Sequence, residues 1–413
     1  MRVDGEKYIG GVPVSELVEE YDTPLYVYDR DVIQERFTEL EEAFDSRYPD
    51  FSVHYAVKAN SNPEIVRTML DIGAHLDCAS IPELRLAEEL EATDRVLYTG
   101  LFNREDELEA AREHHVTINL NSAYLLEKMD EVPEKLSFRV NPGQGRGEFG
   151  LVLAGDNSQF GVPEDRVVEA YRKAKDRGVE EFGIHMMTGS NIRDAEYFEQ
   201  ITEKLLDIAA EVSRELGIEF SFIDIGGGLG IPYRPEQERL DVERVAEGVT
   251  SVLKEYVEET GIGEPELRIE PGRYLVAEAG YLLTRVTGVK ESGKTFVGVD
   301  TGMNHLIRPA LHDAYHPVSL VSDEREHGGE KTVVGPVCSS EDVLAEDREL
   351  PRLEQGDILA IEKTGAYGFS MASNWNTRRL PAEVIVDSGN HRLIRERQEV
   401  EDLFHGTDLE GET

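Results

Sequence analysis

The chain has only two cysteines in 413 residues, Cys78 and Cys338, and they stand 260 positions apart. That excludes a disulfide framework and a cysteine-based metal cluster. Cations are scarce too: 43 Lys and Arg against 84 Asp and Glu leave a net charge of −41, spread along the whole length. So negative a balance argues against nucleic acid and against anionic membrane surfaces as partners. Long apolar runs are also missing. The opening Met1-Arg2-Val3-Asp4-Gly5-Glu6 has no apolar signal core, and no run reaches membrane-spanning length. These absences predict a soluble, cytoplasmic protein. Molar salt would relieve the self-repulsion, because the Debye length there is about 3 Å. With only 12 lysines against 31 arginines, the composition predicts a cytoplasm of high ionic strength, as in a halophile.

What is present is a regular alternation. At 413 residues two domains are expected. Short apolar runs recur at Val53 to Val57, Ala74 to Asp77, Val96 to Tyr98, Val116 to Leu120, Leu136 to Val140, Phe182 to His185, Phe220 to Ile225 and Leu267 to Glu270. Helical periods lie among them, such as Pro63 to Ile72, Ala195 to Leu216 and Val242 to Glu259. Eight strands alternating with helices predict a (β/α)8 barrel over residues 31–277. A doubly wound sheet is the alternative, but its glycine-rich turn would follow the first strand rather than the seventh. Beyond Ala277 the texture turns to β-like runs joined by Gly, Pro and Asp, predicting a β-sandwich or β-barrel domain over 278–413. Residues 1–30 are expected to join that domain, with Pro24-Leu25-Tyr26-Val27-Tyr28 as an edge strand.

Candidate chemistry gathers at the carboxyl ends of the barrel strands, where barrel enzymes carry their reacting groups. The first apolar run reads as a strand ending on Lys58, whose amine, if buried, becomes nucleophilic. The sixth runs into His185-Met186-Met187-Thr188-Gly189-Ser190. The seventh ends Asp224-Ile225-Gly226-Gly227-Gly228, a turn whose amides can approach a phosphate closely. The eighth ends Glu270-Pro271-Gly272-Arg273. A lysine for an aldehyde, a glycine nest for a phosphate and an acid for a ring nitrogen suit pyridoxal 5'-phosphate. The same residues also admit a Schiff-base aldolase using Lys58 without a cofactor, or a cofactor carrier without catalysis.

On Tyr55-Ala56-Val57-Lys58-Ala59-Asn60, Leu76-Asp77-Cys78-Ala79-Ser80, Phe138-Arg139-Val140-Asn141-Pro142-Gly143, the triple-glycine turn, Glu270-Pro271-Gly272-Arg273, Gly335-Pro336-Val337-Cys338 and Gly365-Ala366-Tyr367-Gly368, the chain resembles the diaminopimelate decarboxylases. They belong to the alanine-racemase-fold (fold-type III) pyridoxal phosphate enzymes. The resemblance spans Thr23 to Asp402. It implies that Lys58 carries the cofactor and Asp77 supports it. Gly226, Gly227, Gly228, Ser190 and the Gly272 region would hold phosphate, and Glu270 would pair with the ring nitrogen. His185 and Pro271 complete the implied cofactor set. Arg273, Arg308, His312, Ser339 and Tyr367 would meet substrate, with Tyr367 also touching phosphate. The resemblance further implies a homodimer with shared sites, in which Cys338 protonates the carbon left by carbon dioxide in the partner's site. Cys78 reads as a small buried hydrophobe, and no metal spacing is evident.

Three positions depart from the family pattern. Met187 stands where a histidine usually stacks on the ring, His312 replaces a tyrosine, and Ser339 replaces the glutamate that would hold the ammonium at the far end of diaminopimelate. Either Glu341 or Asp342 substitutes for that glutamate, or the substrate is another amino acid, such as a carboxylated polyamine or ornithine-like compound. Gln159 also replaces a usual lysine.

Overall fold

The structure is a computed structural model that describes residues 2–3, 5–143, 145–147, 154–155, 158–322 and 325–408. The chain divides into two compact units, one formed by Glu35–Pro232 and Gln237–Leu275, the other by Met1–Gln34, Tyr233–Glu236 and Val276–Thr413. After β1 (Leu25–Asp29) and α1 (Arg30–Asp45) come β2 (Phe51–Ala56), α2 (Pro63–Asp71), β3 (His75–Cys78), α3 (Ile81–Glu89), β4 (Val96–Tyr98), α4 (Glu105–Glu113) and β5 (Thr117–Leu120). A short 3-10 helix, Ala123–Lys128, follows β5 in place of a full helix. The series continues with β6 (Lys135–Asn141), α5 (Val167–Asp176), β7 (Glu181–Met186), α6 (Ala195–Leu216), β8 (Phe220–Asp224), α7 (Val242–Glu259) and β9 (Glu266–Ile269).

Strands β2 to β9 are all parallel, each beside the next, and β9 returns to β2, so the sheet closes into the expected barrel. Helices cover its outside and side chains fill its inside, which is why the strands read as continuous apolar runs. Local chemistry sets where the helices begin. Asn62 accepts the Glu64 N–H at 3.0 Å with Pro63 in the first turn of α2, and Asp241 accepts the Arg244 N–H at 3.0 Å to start α7. Helix α6 stops at Gly217, whose φ of +62° suits glycine best.

The other unit contains β10 (Gly280–Ser292), β11 (Lys294–Val299), α8 (Arg308–His312), β12 (Val318–Leu320), β13 (His327–Val334), β14 (Val343–Pro351), β15 (Ile358–Glu362), β16 (Ala382–Asp387) and β17 (Asn390–Arg395). Its sheet runs β14-β13-β11-β10-β1-β16-β17, with β15 pairing both β10 and β12. The N-terminal segment is part of its core: Ile9, Val12, Val14 and Leu17 pack with Val27, Leu283 and Val384.

The edge-strand expectation for Leu25–Asp29 is overturned. β1 lies inside the sheet, antiparallel to β10 and parallel to β16, with all five residues buried. Its sequence does not alternate because both faces are covered. Among the described residues no helix is long and apolar enough to cross a membrane.

Candidate active site

Lys58 does not end a strand. β2 stops at Ala56, and Lys58 sits on the single 3-10 turn Val57–Ala59 at the barrel mouth. The turn is packed against the end of β9: a Cβ on Gly272 would come within 2.8 Å of Ala59 Cβ, and the Ala56 N–H donates to the Pro271 carbonyl at 3.3 Å. The expected burial of the amine is also corrected. The Lys58 side chain is 43% exposed, whereas its ion-pair partner Asp77 is 2% exposed. Burial, then the charge of Glu270, raises the Asp77 carboxyl above the usual range, and Lys58 opposes both. Lys58 is therefore oriented by a buried acid while its ammonium stays accessible.

Behind this pair is a fully buried group that the spacing of the sequence could not reveal. His185 from the end of β7 places Nε2 3.2 Å from Glu270 Oε2, just past β9. Asp224 ends β8, beside His185 in the parallel register. One ligand atom from each of the three lies within 4.8 Å of the others. Burial opposes the charge on Glu270, but His185, by charge and hydrogen bond, and then Lys58 and Arg139 hold its carboxyl well below the usual range. Burial likewise opposes a charge on His185, yet Glu270 and Asp224 raise it overall. Burial and the charge of Glu270 push Asp224 upward. The charges thus favour an ion pair between His185 and Glu270, with Asp224 drawn toward its protonated form.

Asp224 and Arg139 were not picked out from the sequence. Arg139, buried in β6, donates to the Met187 carbonyl at 3.1 Å and covers the Phe160 ring at 4.5 Å. The one available signal was a charge inside an otherwise apolar strand, which is rarely buried without a reason.

The glycine turn is built for close approach. A Cβ on Gly226 would meet the Met186 carbonyl at 2.3 Å, and one on Gly227 would meet the Glu270 carbonyl at 2.2 Å. The Gly226 carbonyl accepts the Glu270 N–H at 2.9 Å, and the Gly228 carbonyl accepts the Ile192 N–H at 2.9 Å. Arg273 Nη2 reaches Ser190 Oγ at 3.4 Å, so Ser190, the turn and Arg273 share one rim. The half-buried Met187 places Sδ 3.2 Å from the Gly227 N–H, so the thioether lies at the turn. Gln159 is exposed.

The remaining candidates belong to the β unit. Arg308, 1% exposed at the start of α8, donates from Nη1 to Tyr233 Oη at 3.0 Å and to His316 Nε2 at 2.9 Å. Because an arginine only donates, His316 accepts at Nε2, carries its proton on Nδ1 and donates from there to the Glu362 carbonyl at 3.0 Å. His312, half-buried, ends α8. Tyr367 takes a left-handed φ of 56° in its Gly-Ala-Tyr-Gly turn, a strain more common at functional positions than elsewhere. Cys338 is exposed, its N–H donating to Asn376 Oδ1 at 2.7 Å, whereas Cys78 is buried and its thiol is pushed up by that burial. Ser339 donates to the exposed Glu341. Asp342 is buried, with one oxygen accepting the Met303 N–H and the other the Val337 N–H, each at 2.6 Å.

Residues 30–277 match the family model described as "Pyridoxal-dependent decarboxylase, pyridoxal binding domain". The chain belongs to the pyridoxal-dependent decarboxylase family. Over 413 aligned residues this decarboxylase is 45% identical to the diaminopimelate decarboxylase of Methanothermobacter thermautotrophicus, covering 98% of this chain and 96% of that one. The solved structure of the M. jannaschii diaminopimelate decarboxylase matches with a TM-score of 0.91 at 31% identity, over 98% of this chain and 96% of that one. A Helicobacter pylori diaminopimelate decarboxylase, solved in complex with L-lysine, matches with a TM-score of 0.86 at 33% identity, over 95% and 98% of the two chains.

The cofactor of this decarboxylase is pyridoxal phosphate, and the barrel residues fit it. Glu270 Oε1 is buried and makes no hydrogen bond among the described residues, which suits an acceptor for a ring N–H. The turn at 226–228 leaves no room for side chains, so a phosphate can approach its backbone closely. Lys58 supplies an accessible amine on the same barrel mouth, close enough to lower Glu270 through its charge.

Proposed function

We propose that this chain decarboxylates meso-2,6-diaminopimelate to L-lysine and carbon dioxide, the last step of lysine synthesis by the diaminopimelate route. The observation that carries the reading is the accessible Lys58 held by buried Asp77 on the mouth that also presents Glu270, in a chain similar over nearly its full length to diaminopimelate decarboxylases. When bound, pyridoxal phosphate supplies the electron sink for the departing carboxylate. The chain's residues do the rest. Lys58 would hold the cofactor through its ε-amine. Glu270 would keep the ring nitrogen protonated, and the 226–228 turn with Ser190 and Gly272 would hold the phosphate, with Tyr367 also beside it. Arg273 and Arg308 bind substrate carboxylate. One carbon–carbon bond breaks, carbon dioxide leaves, and Cys338 delivers the proton that replaces it, acting in the partner's site of a homodimer. Delivery to one face is what makes the outcome decarboxylation.

The departure at Ser339 favours a specific substitute. Asp342 is buried and spent on two backbone amides, Val337 in its own loop and Met303 in another segment, so it cannot reach for a ligand. Glu341 is exposed, and the Ser339 hydroxyl holds its carboxyl below the usual range. Glu341 therefore receives the distal ammonium of the substrate. Replacing Glu341 with glutamine is expected to raise KM for diaminopimelate about 10- to 100-fold, the loss of one charge-assisted hydrogen bond, with kcat little changed. The second reading, another amino acid substrate, rests on the same Ser339 and on His312. Carbon dioxide release from ornithine or a carboxylated polyamine faster than from diaminopimelate, with E341Q neutral, would favour it.

The −41 charge supports a cytoplasm of high ionic strength. Dialysis from molar salt to 0.1 M, where the Debye length grows from about 3 to about 10 Å, is expected to lower the melting temperature and dissociate the dimer. A melting temperature that stays flat across that range, read by calorimetry, would remove this part of the reading.

A further inference from the structure

The barrel mouth contains a second carboxylate that no step above uses. Asp224 is fully buried, and its Oδ1 accepts the Gly226 N–H at 2.8 Å. The carbonyl of the same glycine accepts the Glu270 N–H at 2.9 Å. Gly226 is thereby clamped from both sides, by the Asp224 side chain and the Glu270 backbone. His185 closes the loop, since it pairs with Glu270 through Nε2 and neighbours Asp224 across β7 and β8. Three strand ends are joined through one glycine and one imidazole.

We propose that His185 and Asp224 are positioning residues: His185 stands behind Glu270 as its counter-cation and Asp224 clamps Gly226, so the acid for the ring nitrogen and the turn for the phosphate are set by one buried unit. This rests on the reading of the mouth as a pyridoxal phosphate site.

The charges agree with that arrangement. Two ionised acids beside one imidazolium would repel each other at low dielectric, so one must stay protonated. Asp224 is the acid pushed up, and Glu270 is the acid held down. Lys58 from the turn after β2, Asp77 from β3, Arg139 from β6 and Arg268 from β9 are the other charged groups acting on the three. Without His185, Glu270 would lose its largest favourable partner and keep Lys58 and Arg139, and Lys58 is already paired with Asp77. A protonated Glu270 could not hold a ring nitrogen protonated.

The test uses the full-length protein in its working salt, loaded with pyridoxal phosphate carrying nitrogen-15 in the ring. In the wild type the ring nitrogen resonance is expected to stay in the protonated range from pH 6 to 9. In His185→Phe Glu270 loses its counter-cation and is drawn toward its protonated form, so the ring nitrogen pKa is expected to fall through the loss of that carboxylate, and His185→Gln, which retains a donor but no charge, should shift it less. Asp224→Ala is expected to raise the dissociation constant for pyridoxal phosphate about tenfold, the loss of one buried hydrogen bond, with Asp224→Asn restoring most of it because an amide oxygen can accept from Gly226.

A ring nitrogen that stays protonated in both His185 variants, with the cofactor bound and the circular dichroism native, overturns the role of His185. Equal affinity in Asp224→Ala and wild type overturns the role of Asp224. A wild type that takes up no cofactor overturns the site reading itself, and is told apart because no ring resonance is then seen.

Discussion

Replacing Lys58 with alanine is expected to lower decarboxylation by about 10³-fold or more, because Lys58 is the amine that Asp77 holds at the barrel mouth for covalent attachment. The protein should still bind pyridoxal phosphate through the 226–228 turn, since that cradle is backbone held by its own hydrogen bonds. Uptake and turnover should therefore separate. The companion measurement is chemical: borohydride reduction of the wild type, followed by peptide mapping, is expected to fix the cofactor mass on the peptide containing Lys58. A mass found elsewhere, or K58A retaining more than a few per cent of activity, would sink this assignment. Destabilisation should be modest despite the loss of an ion pair, because Lys58 is 43% exposed and solvent already screens the attraction. Asp77, left buried and alone, will protonate instead of remaining charged.

The barrel was legible because each of its strands is buried on both faces and so writes itself as a short apolar run. β1 is the informative failure. Leu25 to Asp29 is as buried as any barrel strand, yet as a short alternating segment it reads as an edge. In β14, Val343–Pro351, the charges of Glu346, Asp347, Arg348 and Glu349 interrupt the apolar pattern because that stretch lies largely at the surface, so no periodicity announced it. The site divides in the same manner. Lys58, the glycine turn and Glu270 stand at strand ends with distinctive neighbours, which sequence can show. Asp224 and Arg139 are charges within apolar strands, and what they do depends on strands β6 to β9 being side by side. His185, Asp224 and Glu270 are 39 and 46 residues apart in the chain, and only barrel closure makes them one unit. Glu341 and Asp342, adjacent and both acidic, were indistinguishable until the backbone partners of Asp342 were visible.

Replacing Glu270 with glutamine is the second large effect, and it tests the buried ion pair from the other side. Glutamine matches the shape of glutamate but cannot keep a ring nitrogen protonated, so turnover is expected to fall by about 10²- to 10⁴-fold, the span of a lost acid–base partner. The cofactor-free protein should lose about 3 kcal/mol as well, since both members of the pair are fully buried. The pH dependence of that loss has a definite sign. Glu270 is depressed from 4.5 to about 2 when folded, so its contribution is complete above about pH 4.5 and disappears as pH falls toward 2. His185 is raised above 6.5 when folded, so its contribution is complete below 6.5 and disappears as pH rises through the folded value. The stability gap between wild type and E270Q should therefore be widest between pH 4.5 and 6.5 and narrow on both sides. Denaturant melts of the two proteins at fixed high salt measure it. A gap independent of pH would mean that His185 and Glu270 meet as neutral groups, and the electrostatic account of the barrel mouth would have to be replaced by one based on packing alone.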